Sequence, residues 1–442
     1  MSRYNRYPAY KDSGVEWIGE VPEHWSVTPI KLIAQIVNGA TPESGTASYW
    51  DGNIAWFTPA DLDNNYATTL FEPRRRITYK GLASCAARLT PLGSVVLSTR
   101  APVGSVGVTA VESATNQGCR TLVPRSSVPP KLIAETLIAA RAEMVLRSNG
   151  TTFQELSTDS LASLRVPLPP PAEQSAIAAA IDRETARLDA LITKKTRFIE
   201  LLKEKRSALI THAVTKGLDP TVKMKDSGVE WIGEVPEHWG VPPVKICYEV
   251  RLGKMLQPNA VTQADILVPY HRAQTVQWER IDDLAVDQMW ASRADIERFS
   301  VDIGDLLICE GGDVCRAAIV RALVGQNLIF QNSLHRVRPK GRHGVEWVLR
   351  LMQHLRSSGW IDVLCNKNTI VHFTSEKLGA LACPLPPASE QSAIVAFLDR
   401  ETARIDALVG KTQRSIDLLK ERRSAFITAA VTGQIDLRGE IA

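Results

Sequence analysis

A chain of 442 residues with 44% hydrophobic and 23% charged side chains has the make-up of a folded globular protein and exceeds one ordinary domain. No apolar run approaches the ~18 residues of a membrane span, and the opening MSRYNRYPAY lacks the apolar stretch of a secretory leader, so a cytoplasmic location is expected. A net charge of +4 permits nucleic-acid binding without requiring it, and seven scattered cysteines with no C-x-x-C pair argue against a disulfide framework or zinc knuckle.

Residues 11–25, KDSGVEWIGEVPEHW, return letter for letter at 225–239. EQSAIAAAIDRETARLDALI begins at Glu173 and EQSAIVAFLDRETARIDALV at Glu390, whereas the stretches between these markers do not resemble each other. The chain therefore divides into a globular block 1–166, a helical block 167–222, a second globular block 223–383 and a second helical block 384–442. In the first globular block, VVLSTRAPVGSVGVTAV (95–111) reads as strands and a hairpin, and KLIAETLIAARAEMVLRSNG (131–150) as helix with a glycine stop. In the second, DLLICEGGDVCRAAIV (305–320) reads as two strands about a Gly-Gly turn, and WVLRLMQHLRSSGW (347–360) as the matching helix.

Each helical block opens on prolines, PLPPPAEQ and PLPPASEQ, which suit a first helical turn and block extension upstream. Ile177, Ile181, Leu188, Leu191, Leu202 and Leu209 are spaced by threes and fours. Ile394, Leu398, Ile405, Leu408, Leu419 and Phe426 repeat the pattern. This is the apolar seam of a coiled coil, on a rod of roughly 60 Å over 172–215. Glu184/Glu401 and Lys195/Thr412 interrupt the seam, and are expected to face one another and fix register if the helices lie antiparallel. The expected fold is α+β: two globular mixed α/β domains joined by two long helices packed as an antiparallel coiled coil, with a pseudo-twofold internal repeat.

Catalytic signatures are missing. There is no G-x-x-x-x-G-K-[ST] phosphate loop, no dinucleotide-type glycine loop and no Asn/Asp-Pro-Pro-aromatic tetrapeptide of amino-methyltransferases. No histidine pair has metal-ligand spacing; His24 and His238, inside the repeated EHW, read as packing or capping groups. Asp305 and Glu310 lack a lysine at nuclease-like spacing. No catalytic and no metal residue is expected.

Polar and aromatic side chains at turns remain. In the first insert these are Tyr49 and Trp50, the run Arg74, Arg75, Arg76, then Ser98, Thr99, Arg100, and Asn116 with Gln117. In the second they are Lys254, His271, Arg272, Gln277, Glu310, Gly311, Gly312, Gln331 with Asn332, His335 and Arg336. Arg, Lys, Asn and Gln make bidentate contacts to base edges, while hydroxyls and glycine amides suit phosphate oxygens. As a group, on two copies of one scaffold, they are candidate contacts to double-stranded DNA.

GVEWIGEVPEHW opening each half, the two proline leaders, LSTRAPVGSVGV with ATNQG, and RLGKML with LICEGGDVCRAAI and HRVRP together resemble the specificity (S) subunits of bacterial type I restriction-modification systems, over about residues 8–436 in the family's order. The resemblance implies two target-recognition domains, each reading half of a split DNA sequence, and two helices that space them and dock modification (methyltransferase) subunits. It implies a non-catalytic chain that binds no cofactor. S-adenosylmethionine would sit on the modification subunits, two in number by the family's plan, and ATP and Mg on the restriction (motor and nuclease) subunits. The other reading of the long seams is a coiled-coil adaptor that does not touch DNA.

Overall fold

The proline-led segments fold as two long helices, Pro171–Lys216 and Ala388–Val431, of 46 and 44 residues. Beyond each, a glycine in the left-handed region turns the chain: Gly217 at φ 76° and Gly433 at φ 75°. Residues with a Cβ rarely adopt that conformation, so glycine suits both ends. The structure is a computed structural model that describes residues 4–63, 67–125, 128–148, 155–365 and 372–440. Among these, no helix is long and apolar enough to cross a membrane.

Packing divides the chain into two units, Met1–Lys195 with Arg414–Ala442, and Thr196–Gln413. The blocks expected from sequence treat the helices as separate domains; in the packing, each unit instead contains part of both helices. In the first unit Ile177 and Ile181 share a core with Phe426, Ile427, Ala430 and Val431, and Asp189 meets Arg423 at 3.0 Å. In the second unit Ile210 and Val214 share a core with Ile394 and Leu398, and Arg206 meets Asp406 at 3.1 Å. Within each unit one helix ascends as the other descends, so the packing is antiparallel, as the repeat predicts.

The seam is close to the expected one, with one slip made in both copies. Ile177, Ile181, Leu188, Leu202, Ile394, Leu398, Ile405 and Phe426 are buried, and Leu209 and Leu419 half-buried. Leu191 and Leu408, by contrast, are 36% and 40% exposed, and the next residues, Ile192 and Val409, are the half-buried ones. The buried series also gains Ile199 and Ile416. Counted in sevens, Ile192 falls on one line with buried Thr185 and Ile199, and Val409 with buried Thr402 and Ile416, whereas Leu191 and Leu408 do not. The polar interruptions do not all face each other. Thr185, Thr402 and Thr412 bond back to carbonyls of their own helix at 2.7–2.8 Å. Glu184 reaches Arg422 at 3.4 Å, while Glu401 pairs with Arg400 and Arg404 on its own helix.

The repeated fifteen residues have a definite job. In the first copy, strands Tyr10–Asp12 and Glu20–Pro22 pair antiparallel, and the EHW that follows reaches Glu173 in the first turn of the first helix. Glu173 accepts from Trp25 Nε1 at 3.0 Å and from the Tyr7 hydroxyl at 3.0 Å, and His24 Nε2 lies 2.7 Å away. The same hairpin meets the end of the second helix: the Tyr10 hydroxyl donates to the Gly433 carbonyl at 3.0 Å, and a Cβ at Gly433 would lie 2.3 Å from Pro22 Cδ. The second copy, strands Met224–Asp226 and Glu234–Pro236, repeats this with the helices exchanged. His238 and Trp239 reach Glu390 at 2.8 and 3.1 Å, and Gly217, past the end of the first helix, packs on Trp239. The histidines are thus helix-capping and packing groups.

Each unit adds a sheet domain. In the first, a five-stranded sheet runs in the order Ala34–Asn38, Cys119–Pro124, Val95–Ser98, Val106–Thr109, Thr68–Leu70, antiparallel except for the last, parallel pair. In the second, Tyr248–Leu252, Leu334–Pro339, Leu306–Cys309 and Ala317–Ile319 repeat that order, all antiparallel. The central strands read as unbroken apolar runs because both faces are covered. Val95 and Leu97 point to a core with Ile133 and Leu137, whereas Val96 points to Phe57 and Leu70. Leu306 and Ile308 likewise face Leu351 and Leu355, and Leu307 faces Phe330.

The predicted 131–150 helix is two, Pro130–Ala139 and Arg141–Leu146; its expected stop at Gly150 lies outside the described residues. Its counterpart is Val345–Ser358, closed by Gly359 at φ 78°. Both dock on the long helices at repeat-equivalent aspartates: Lys131 on Asp182 at 3.7 Å, and Arg350 on Asp399 at 2.5 Å.

Replacing Glu173 with Ala removes the acceptor of buried donors and is expected to lower first-unit stability by about 2–4 kcal/mol in urea denaturation, whereas Leu191→Gln, at an outward position, shifts it by no more than about 0.5 kcal/mol. A smaller loss for Glu173→Ala than for Leu191→Gln would contradict this account of the seam and the clamp.

Candidate nucleic-acid interface

The expected contact residues fall into interior and surface sets. Ser98 and Thr99 are fully buried: the Ser98 hydroxyl donates to the Pro102 carbonyl at 2.6 Å, and Thr99 Oγ1 to the Gly118 carbonyl at 3.3 Å. His271 is fully buried, with Nδ1 3.2 Å from Thr275 Oγ1. His335 is fully buried, with Nε2 donating to the Phe373 carbonyl at 2.6 Å, and Arg336, 2% exposed, binds the Ser300 carbonyl and Glu249. These five brace the fold and cannot reach a base edge; the expectation is corrected for them. Trp50 is core, edge-on to Trp56 at 5.2 Å, with Tyr49 half-buried beside it. Lys254 is held by Asp295 at 2.9 Å with little exposed side chain.

The remaining candidates lie at the surface. Arg74 and Arg75 are exposed; Arg75 stacks 3.6 Å above the Trp50 ring, and Arg74 lies 4.0 Å from Asp61. Half-buried Arg76 binds the Asn53 carbonyl and Glu72. Arg272 pairs with Asp287 at 2.8 Å, and Gln277 donates to the Gln274 carbonyl at 3.1 Å.

Two backbone crossings gather the rest. In the first unit Gly39 passes so close to the turn before the central strand that a Cβ would lie 1.9 Å from the Asn116 carbonyl oxygen. In the second, Gly253 passes the Gln331 carbonyl in the same way, at 2.2 Å. Only glycine permits either approach. The crossing sets Thr41 against Gln117, and Lys254 against Gln331 and Asn332 through backbone bonds. Asn116 Oδ1 braces its turn by accepting from the Gly118 amide at 3.0 Å, while Gln331 Oε1 accepts from Ser333 Oγ at 3.1 Å.

The hairpin tips that follow Val95–Ser98 and Leu306–Cys309 are held by matching bonds. The Thr99 amide donates to the Gly118 carbonyl and its carbonyl accepts from Leu156. The Glu310 amide donates to the Ser333 carbonyl and its carbonyl accepts from Phe373. Arg100 pairs with Glu155 at 3.1 Å, and Glu155 also meets Arg120 at 3.7 Å. In the second unit, Gly311 takes the matching place, next to His372. Burial pushes the Glu310 carboxyl above its ordinary value, and His372 only partly offsets this. Glu155, Arg120 and His372 were not among the expected residues; their positions distant in sequence from the tips left no local pattern to find them by. Among the described residues no group of three or more His, Cys, Asp or Glu could hold a metal ion.

Comparison with known proteins matches residues 22–201 to the type I restriction modification DNA specificity domain. The chain is 33% identical over 189 residues to the type I restriction enzyme MjaIX specificity subunit of Methanocaldococcus jannaschii, a match covering 42% of this chain and 43% of that protein's length. It is 21% identical over 437 residues to the EcoKI specificity subunit of Escherichia coli, covering 94% and 90%. Among solved structures, it resembles a chain of a type I R-M system described for its complex assembly and conformational transition, with a TM-score of 0.71 at 15% identity over 93% of this chain and 98% of that one. The HsdS subunit from Thermoanaerobacter tengcongensis gives a TM-score of 0.52 at 15% identity over 94% and 98%. Both share this chain's fold.

Burial pushes two second-unit histidines, His335 and His354, down to about 4 from an ordinary 6.5. Both are neutral in the folded unit, so between pH 6.5 and 4 the unfolded chain binds more protons and stability falls as the pH falls. Each histidine accounts for up to about 3 kcal/mol of that loss. His354→Gln is therefore expected to flatten the dependence of the urea midpoint on pH across this window; an unchanged slope would show that His354 is not buried neutral.

Proposed function

We infer that this chain, a type I restriction-modification specificity subunit by its domain and fold, reads an asymmetric, bipartite sequence in double-stranded DNA, one half-site per recognition fold. The observation that carries this is the pair of matched backbone frames with different polar side chains, exposed or half-buried: Arg100, Glu155 and Gln117 in one unit, Glu310, His372 and Asn332 in the other. A homodimer would present one set twice and favour a palindrome; two unlike sets favour two unlike half-sites. The exposed Arg74 and Arg75 suit phosphate oxygens, which position the reader, while the tips reach base edges, which specify sequence.

The long helices set the spacing of the half-sites and, with the repeated hairpins, form the surface on which modification subunits dock. This chain contributes recognition and no chemistry. S-adenosylmethionine belongs on the modification subunits, ATP and Mg on restriction subunits, and the complex acts in the cytoplasm. A base must leave the stack to be methylated, so methyl transfer by the partner requires distorted DNA, gripped on both flanks by the two recognition folds.

Exchanging residues 26–160 for the corresponding segment of another specificity subunit, in cells with the cognate modification subunits, is expected to replace one half-site in the methylated motif and leave the other unchanged, read by single-molecule sequencing of genomic DNA. Two unchanged half-sites would overturn the reading. Absence of specific binding at low salt by the purified chain with its modification partner would favour the adaptor alternative.

A further inference from the structure

Resting on that reading, the equivalence of the two hairpin tips can be taken to individual residues. Thr99 and Glu310 occupy the same backbone position, fixed by the same two hydrogen bonds, and Arg100 and Gly311 occupy the next. The segment that closes over each tip is equivalent too: Glu155 and Leu156 in one unit, His372 and Phe373 in the other. Since the frames coincide, what differs at the tips is side-chain charge. The first tip carries a cation held by an anion. The second carries an anion beside a histidine.

Neither group has a structural task that accounts for it. Arg100 Nε engages Glu155, and its terminal amino groups have no partner among the described residues. Arg120, the other cation on Glu155, is by contrast fully used: it donates to Thr158 Oγ1 and to the Gln117 and Cys119 carbonyls, and only 13% of its side chain is exposed. The Glu310 carboxylate is half-buried and has no hydrogen-bond partner among the described residues. A partly desolvated carboxylate without a donor costs free energy that an incoming N–H recovers. A guanidinium with one edge anchored and the other free is preorganised for bidentate donation, which lowers the entropy lost on binding.

We propose that Arg100 and Glu310 are the specificity-determining residues at equivalent tips of the two recognition folds, reading base edges of opposite character. Arg100, anchored by Glu155, donates to an acceptor edge of the kind guanine O6 and N7 present. Glu310 accepts from an exocyclic amino group, the N4 of cytosine or N6 of adenine. Glu155 is a positioning residue for Arg100.

The test uses the full chain with its modification subunits, after the wild-type motif has been mapped. Arg100→Gln, Arg100→Lys, Glu155→Gln and Glu310→Gln are compared by methylome sequencing and by affinity for duplexes altered one base pair at a time. Arg100→Gln and Arg100→Lys are each expected to relax one position, a guanine, in one half-site, cutting discrimination there about tenfold or more. Glu155→Gln relaxes the same position more weakly. Glu310→Gln relaxes one position in the other half-site. Thermal midpoints within a degree or two of wild type are expected for the Arg100 and Glu310 variants, because no buried partner is lost; Arg100→Lys keeps the charge and removes only the fork, so relaxation in that variant stands apart from any loss of fold. Discrimination within twofold of wild type at every position, in all variants, would overturn the proposal while leaving the bipartite reading intact. A wild-type chain with no bipartite motif would instead overturn the reading on which it rests.

Discussion

The structure depends on a carboxylate at the start of each long helix and the ring donors that close on it. Glu173 takes Trp25, Tyr7 and His24; Glu390 takes Trp239 and His238. An anion in the first turn also meets the positive end of the helix dipole. Burial first, then the charge of Glu173 and the hydrogen bond to it, push the Tyr7 hydroxyl upward, so that it remains a donor at any ordinary pH. The consequence is topological. The hairpin that grips the start of one helix also covers the glycine turn that ends the other, at Gly433 in one unit and Gly217 in the other. A short repeated sequence thereby dictates that the helices run antiparallel within each unit, before any seam residue is considered.

Electrostatics then fixes the sliding position that apolar packing leaves soft. Asp189–Arg423 and Arg206–Asp406 join the same two repeat positions in opposite units, so one ion pair is made twice. Arg206 also reaches Glu279, which Arg350 and Gln353 share. Burial alone would raise the Glu279 carboxyl, but these three neighbours together hold it below its ordinary value. One network thus ties the recognition fold of the second unit to both helices. Its counterpart in the first unit is smaller: Lys131 bridges Asp182 and Glu135, whose carboxyl burial keeps raised despite that partner. The asymmetry follows from the divergence of the inserts, which leaves the helices one common register and two different ways of bracing it.

The repeat, the helices and their direction were legible because they rest on periodicity and on exact recurrence. The slip at Leu191 and Leu408 shows where periodicity stops. Leu191-Ile192 and Leu408-Val409 each place two apolar residues side by side, and composition does not say which turns inward; the heptad repeat picks the second. The candidate interface was less legible. His271, His335, Arg336, Ser98 and Thr99 are polar types at turn-like positions, and nothing local distinguishes a base reader from a brace bonded to a carbonyl. The distinction lies in contacts such as His335 with Phe373, 38 residues apart, and Arg336 with Ser300, 36 apart. Glu155 and His372 escaped notice for the same reason: each matters only because a distant strand ends beneath it.

Those misassigned braces explain how the tips can differ so widely in charge. Backbone position at Thr99 and Glu310 is set by main-chain bonds to Gly118 and Ser333 and to Leu156 and Phe373, none of which involves the Arg100 or Glu310 side chain. Beneath the second tip, the interior polar groups His271, His335 and Arg336 bond to a threonine hydroxyl, two backbone carbonyls and Glu249, so they hold the loop without drawing on the displayed groups. A loop held this way tolerates exchange of the exposed Arg100 for Gly at little cost in stability, since an exposed substitution away from buried contacts usually shifts stability by only about 0.5 kcal/mol. The free energy of the fold is thus separated from the side chains shown at the tips, which can change while the clamp, the ion pairs and the sheets stay as they are.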